Sequence, residues 1–351
     1  MSAAAPLASL ATDRSIVVCC GSGGVGKTTT AAALAVEGAR QGRRSCVVTI
    51  DPAKRLADAL GLASLSNVPS RVEGDWSGEL HALMLDTKST FDSLVGRYAA
   101  SEEQARMILS NRLYRNIAGA LSGTQEYMAM EKLYELATDA RFELIVVDTP
   151  PTRNALDFLD APRRLTRFLD NRIFKVLTMP TRAYLKAVSV ATQGFLRTVS
   201  RVVGGEVVAD AVAFFQAFEG MEQGFRDRAA EVLELLRAPE TAFVLVTSPR
   251  RDAVREAGFF AEKLGESDID VDALVVNRLH PAFGSAPVAG GLGDLSRNLA
   301  DFRAMAEREE QHFQELALRV KPAPVGRVPV LVNDVHDLAG LQELGRYLFS
   351  T

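Results

Sequence analysis

Residues 21–28 read Gly-Ser-Gly-Gly-Val-Gly-Lys-Thr, and no other stretch of the chain limits its fold as severely. The string satisfies G-x-x-x-x-G-K-[ST]. It follows an apolar, β-branched run, Ser15–Cys20, and leads into an alanine-rich stretch, Lys27 to about Gln41, that Gly42 closes. Strand, glycine loop and helix in that order are the context a phosphate-binding loop requires. The glycines let backbone N–H groups converge on phosphate oxygens, and the helix N-terminus adds its positive end. Gly21, Gly23 and Gly26 also satisfy the dinucleotide pattern G-x-G-x-x-G, with Asp51 as a ribose acid. Lys27-Thr28 argues against that reading, because a dinucleotide helix has no use for a lysine at the turn. In a phosphate loop Lys27 neutralises the β- and γ-phosphates, and the Thr28 hydroxyl is a Mg2+ ligand.

Further apolar runs at Cys46–Ile50, Leu80–Leu85 and Leu144–Val147 have strand character, as do Ala242–Val246, Ala273–Val276 and Val328–Val332. Strand, helix, strand near the start implies a right-handed crossover and a parallel sheet whose strands are buried on both faces. A helix is expected over Asp252–Leu264 and an amphipathic one over Leu338–Leu348. Between the fourth and fifth strands, Ala161–Phe174, Thr181–Val202 and Gly205–Leu236 look helical. The spacing of Val207, Ala211, Phe214, Phe215, Phe218, Met221 and Phe225 predicts one helix face. The insertion divides by charge: Asp160–Arg201 holds nine basic and two acidic residues, Glu206–Glu240 three basic and eight acidic. The expected fold is α/β, a mainly parallel P-loop NTPase sheet flanked by helices, with an inserted all-helical lobe. Residues 1–12 read as a flexible leader, 13–159 and 238–351 as the ATPase core, and 160–237 as the lobe. Ala282–Gly293, rich in Gly, Pro and Ala, reads as a mobile loop.

Composition excludes several classes. With 351 residues, 47% of them hydrophobic and 24% charged, the chain is not a disordered protein. A formal net charge of −4 provides no basic field for nucleic acid. The three cysteines, Cys19, Cys20 and Cys46, lie in apolar runs without CxxC spacing, which fits a reducing cytosol. No uncharged apolar run reaches the length of a spanning helix, so a cytoplasmic protein is expected. The four histidines, His81, His280, His312 and His336, have no metal-binding spacing.

Two acids fall at strand ends. Asp51 ends the second strand and Asp148 the fourth, and ligands of open parallel sheets sit beyond those ends. One carboxylate can hold the Mg2+ shell and the other can orient or deprotonate the attacking water. The competing role is to cap the helix that follows. For Asp51 spacing alone does not decide between the two, whereas Asp148, after a strand in a P-loop protein, reads as functional. Asn277-Arg278 follows a later strand on the same edge, where an amide and a guanidinium can read an adenine ring. Loop asparagine is also a common turn residue.

Together these residues resemble the deviant-Walker-A ATPases of the arsenite-pump (ArsA) and tail-anchored-protein targeting group, from about Ile16 to Leu348. Gly21–Thr29 is similar to the family's G-K-G-G-V-G-K-T-T loop, and Asp51-Pro52-Ala53 to its switch I, D-P-A-H-N. Gly123-Thr124-Gln125-Glu126 and Glu131-Lys132-Leu133 resemble a family helix, and Asp148-Thr149-Pro150-Pro151-Thr152 its switch II, D-T-A-P-T. Val275-Val276-Asn277-Arg278 resembles the adenine-contacting V-N-Q/R segment, and Pro329-Val330-Leu331 the late P-L-L element. The resemblance implies ATP hydrolysis with Mg2+. It makes Asp51 the catalytic acid, Gly21, Ser22, Gly23, Gly24, Val25, Gly26, Lys27, Thr28 and Thr29 the phosphate site, Asn277 and Arg278 the base contact, and Thr28 with Asp148 the metal ligands. It also implies a dimer, either of this chain or with a paralogous ATPase, and a lobe that takes an apolar-helix protein client. The basic segment Asp160–Arg201 suits a peripheral membrane contact or a solvated helix face.

Three departures stand out. The family's extra lysine, which reaches across the dimer, is Ser22 here. No cysteine lies after Cys46, although arsenite pumps need soft thiolates. The zinc-clamping CxxC of many targeting members is missing, so no zinc is expected. Switch II also carries Arg153-Asn154 in place of Gly-His. Without the trans lysine, the alternative is a low-turnover nucleotide-binding regulatory subunit working beside a lysine-bearing paralogue.

Overall fold

The computed structural model describes residues 5–51, 53–112, 114, 124–150, 155–170, 205–284 and 293–350. The chain begins with α1 (Ala5–Asp13), β1 (Ile16–Cys20), α2 (Lys27–Arg40), β2 (Arg44–Thr49) and the short α3 (Arg55–Ala59). Then follow β3 (Ser70–Val72), β4 (Glu79–Met84), α4 (Thr87–Tyr98), α5 (Glu102–Ser110), α6 (Thr124–Thr138) and β5 (Leu144–Asp148). Next come α7 (Ala155–Asp170), α8 (Gly205–Ala217), α9 (Glu222–Arg237) and β6 (Thr241–Thr247). The last elements are α10 (Arg251–Glu266), β7 (Ala273–Leu279), α11 (Asp294–Arg319), β8 (Val325–Pro329) and α12 (Leu338–Phe349).

The chain divides into two compact units. The first comprises Met1–Leu85, Glu135–Leu156 and Arg237–Thr351. It contains an eight-stranded sheet in the order β3-β4-β2-β5-β1-β6-β7-β8. Every neighbouring pair is parallel except β3 with β4. β1, β5 and β6 are buried along their whole length, which is why they read as unbroken apolar runs. Register then sets the site: Cys19 and Thr49 both lie opposite Asp148. Three neighbouring strands therefore end beside one another, under the glycine loop.

The N-terminal edge of the sheet is tied down by ion pairs and carbonyl contacts. Arg43 donates to the carbonyls of Ala11 (2.8 Å) and Arg14 (2.6 Å), and also to that of Glu143. Arg14 in turn pairs with Asp272 at 3.0 Å, and Asp272 accepts from the Phe243 N–H at 2.8 Å.

Here the flexible-leader expectation is corrected from Ala5 onward, because α1 places Leu7, Leu10 and Ala11 in the core beside Ala31–Val36 of α2. Their i, i+3, i+4 spacing makes an apolar stripe, and each buried leucine contributes about 1.5–3 kcal/mol. β8 lies three residues earlier than Val328–Val332. β3 and α11 were not anticipated at all.

The second unit, Asp86–Tyr134 and Asp157–Leu236, is helical and larger than the expected 160–237. Its additional part holds α4, started by the Asp86 carboxylate, which accepts from the N–H groups of Lys88 and Ser89. Gly205–Leu236 is two helices rather than one, because Gly220 adopts φ 84° between α8 and α9. The Phe/Met stripe packs within this unit. Phe218, Met221 and Phe225 are buried, Phe218 lies 6.3 Å from Phe91 and Phe225 lies 5.2 Å from Tyr98 between ring centroids. Beside it, buried Glu131 sits between Arg228 (3.3 Å) and Arg97 (3.6 Å). Arg228 also binds Glu231 and lies over the Tyr134 ring, with its carbon 3.8 Å from the centroid. Thr181–Val202, Pro151–Asn154 and 285–292 of the glycine-rich loop lie outside the described residues. Among the described residues, no helix is long and apolar enough to cross a membrane.

Candidate functional site

The glycine loop runs from the end of β1 at Cys20 to the start of α2 at Lys27. Gly26 has φ 101°, and a Cβ there would lie 2.1 Å from the Asn277 amide nitrogen, so only glycine fits. A cavity of about 580 Å3 opens over the loop. Lys27, Thr28, Asp51, Arg55, Asn277 and Val330 are among its walls. Every one of these belongs to the sheet unit.

Lys27 is 6% exposed, and its ammonium donates to the Ser22 carbonyl at 2.8 Å. Burial pulls its pKa below the ordinary lysine value, against the opposing pull of Asp148. The Asp148 Oδ2 accepts from the hydroxyls of Thr28 (2.8 Å) and Thr49 (2.9 Å). Its Oδ1 is buried and, among the described residues, has no hydrogen-bond partner. Burial pushes this carboxyl up to about 6, although both hydroxyls and Lys27 favour the ionised form. A buried carboxylate with one unpartnered oxygen, hydrogen-bonded to a threonine hydroxyl that lines the cavity, is a hard-oxygen set that suits Mg2+. Thr28 and Asp148 therefore fit the expected ligand pair.

Asp51 also lines the cavity. Its Oδ1 accepts from the Ala53 N–H (2.9 Å), and its Oδ2 pairs with Arg55 at 3.3 Å. The Asp51 N–H donates to Thr49 Oγ1 at 3.2 Å, linking it to the hydroxyl that binds Asp148. Thr29 donates its hydroxyl to the Gly26 carbonyl, at 2.9 Å.

Asn277 and Arg278 are on the loop side of β7. The Asn277 amide nitrogen donates to the Val25 carbonyl at 2.9 Å, and Arg278 donates to the Gly24 carbonyl at 3.0 Å. Both residues line the cavity. The glycine loop, Asp51, Asp148, Asn277 and Arg278 thus meet at one sheet edge, around Lys27.

Sequence reasoning missed three features here. Thr49 is one, and register against Asp148 was its only available signal. Another is the pair His280–Glu309, where Glu309 takes the His280 backbone N–H at 2.8 Å and its ring Nδ1 at 2.7 Å. That pair borders a second cavity of about 550 Å3, which also touches Ser22–Val25 and Arg250. The third is the wall Asn333–His336, between β8 and α12.

A family model described as the anion-transporting ATPase, of the ArsA type, matches residues 14–350. The chain belongs to this family. Similar members include an "ATPase GET3" from Malassezia globosa, 25% identical over 95% of this chain and 90% of the relative. An "ATPase get3" from Aspergillus terreus is 25% identical over 93% and 88% of the two chains. An "ATPase ASNA1 homolog" from Dictyostelium discoideum is 27% identical over 74% and 70%. The match spans both units, so the helical unit is part of the family's chain and not a separate fusion.

Proposed function

We propose that this ATPase binds ATP as its Mg2+ complex over the glycine loop and hydrolyses it with Asp51 as the water-activating base. The reading is carried by one arrangement: the hydroxyls of Thr28 and Thr49 both donate to one oxygen of Asp148, and the other oxygen is buried and without a partner among the described residues. Thr28 and Asp148 are the residues that would hold Mg2+, which when bound neutralises charge on the β- and γ-phosphate oxygens. The N–H groups of the loop cradle the phosphates. Lys27 leaves the Ser22 carbonyl for them, regaining in an anion the charge partner that burial denies it. Asp51, once released from Arg55, accepts the proton of the attacking water. The Pro329–Leu331 strand end and the Asn333–His336 wall enclose the base. Nucleotide state then switches a dimer and the helical unit, in the service of a protein client.

Phe218, Met221 and Phe225 of the stripe are buried in their own unit, which speaks against them as the client surface, whereas Phe214 and Phe215 are half-buried. Ser22 leaves the loop without the family's trans lysine, which supports the paralogue reading. Arg55, a second cation on the same cavity, supports turnover by this chain alone. Zinc and arsenite have no thiolate beyond Cys46 to bind.

Two variants test the reading. Lys27→Ala should weaken ATP at least about tenfold, since charge-assisted hydrogen bonds contribute about 1.5–3 kcal/mol each. Asp51→Asn should keep ATP affinity and lose about 10²-fold or more in kcat. Calorimetric titration and steady-state phosphate release read the two. Wild-type turnover in Asp51→Asn would reduce Asp51 to a turn-forming residue.

A further inference from the structure

Successive side chains of a strand point to opposite faces. At the end of β7 this rule is broken, and the break has a chemical result. Asn277 and Arg278 are consecutive, yet both donate to the glycine loop, and to consecutive carbonyls: Asn277 to Val25, Arg278 to Gly24. Arg278 adopts φ 65°, and the β7–β8 register shifts between Val276 and Leu279. A bulge of this kind re-aims a side chain. The left-handed conformation is unfavourable for a residue with a Cβ, and such outliers persist where the surrounding structure holds them.

The carbonyls matter because of peptide geometry. In a trans peptide the C=O of one residue and the N–H of the next point in opposite directions. Holding the Gly24 and Val25 carbonyls toward β7 therefore turns the Val25 and Gly26 N–H groups the other way. We infer that Asn277 and Arg278 are positioning residues, a two-pronged clamp that presets the Val25 and Gly26 N–H groups for the phosphates of the nucleotide. Asn277 suits this role. Its Nδ2 is 2.9 Å from Val25 O and its Oδ1 accepts the Arg278 N–H at 2.9 Å, which also fixes which end of the amide is which. It is 9% exposed. Preset donors bind without reorganising, so the clamp raises affinity for phosphate with or without a base attached.

The inference rests on the phosphate-loop reading, and a single set of titrations separates the two. The probes are ATP and inorganic tripolyphosphate, which carries the phosphates and no base. The native protein is compared with Asn277→Ala, Arg278→Gly and Lys27→Ala by calorimetry, with thermal unfolding in parallel. Asn277→Ala should weaken ATP and tripolyphosphate by the same factor, about tenfold. Arg278→Gly should weaken both as well, while its midpoint of unfolding holds or rises, because glycine relieves the left-handed residue. Loss of unfolding temperature cannot then account for loss of binding. If Asn277→Ala weakens ATP but leaves tripolyphosphate unchanged, Asn277 reads the base and the clamp is wrong. Unchanged affinities in both β7 variants, with binding lost in Lys27→Ala, would overturn the clamp alone. No binding of tripolyphosphate to the native protein, or full binding to Lys27→Ala, would overturn the phosphate-loop reading beneath it.

Discussion

In the sheet unit buried Lys27 lines a cavity, and buried Asp148 lies just behind it on the cavity residue Thr28, with one oxygen unpartnered among the described residues. In the helical unit the buried ion Glu131 is flanked by Arg228 and Arg97, with Tyr98 and Tyr134 against Arg228. Burial of charge is met by opposite means in the two units. The helical unit compensates its charge from within, which ties α4, α6 and α9 together. The sheet unit leaves compensation to a ligand, and that unmet demand is what makes a site out of a strand end.

The contrast can be broken in three places. Glu131→Ala should produce the largest effect, about 3–5 kcal/mol of lost stability, because it removes the buried carboxylate shared by Arg228 and Arg97 and leaves Arg228, among the described acids, only the more exposed Glu231. Thermal unfolding measures it, and ATP affinity should hold; an equal loss of ATP affinity would mean the two units do not divide their work. The next effect is pH-dependent. The Asp148 carboxyl titrates at about 6 in the fold against about 3.9 in an unfolded chain. The folded state thus binds the extra proton between those values, and stability falls as pH rises through that window, by about 3 kcal/mol at most. Asp148→Asn, which carries no titrating proton, should abolish this slope in denaturant titrations between pH 4 and pH 6.5. A slope unchanged in Asp148→Asn would assign the titration elsewhere. Smallest is Arg55→Ala. A cation near the transferring phosphoryl group accelerates transfer, but Arg55 is exposed and screened, so a loss of about tenfold in kcat is expected. Ser22→Lys in the same background should restore the rate if the deficit is charge, and steady-state turnover of the lone chain reads both.

Much of the sheet unit was legible because its strands are buried on both faces and its loop must be glycine-rich. Gly21–Thr28, Asp51 and Asp148 announce themselves by residue type at fixed spacing. Arg278 does not: its bulge depends on pairing with β8, which no local pattern encodes. The α1 helix was obscured by small uncharged residues that look like a tail until Leu7 and Leu10 are counted at helical spacing. The helical unit was half seen. The stripe from Phe214 to Phe225 shows an apolar face, but nothing in it says that Phe91 and Tyr98, more than a hundred residues earlier, cover that face. Spacing reveals that a face must be buried; only the fold reveals by what.

The Arg43 and Arg14 contacts give the sheet a fixed end and a free end. At the fixed end, α1, the start of β1, the approach to β5 and the entry to β7 are held by two guanidiniums and Asp272. At the other end the same strands finish in the glycine loop, Asp51, Asp148 and the β7 bulge. Each strand is thus anchored like a cantilever, stiff at its root and able to yield at its tip. Strain from a ligand that pulls on Asp148 or Arg278 cannot dissipate into sliding of the sheet, because the roots do not slip. It must pass sideways, from one strand tip to the next. Amide exchange along β1, β5 and β7 should accordingly slow toward their N-terminal residues and respond to nucleotide only near their last ones.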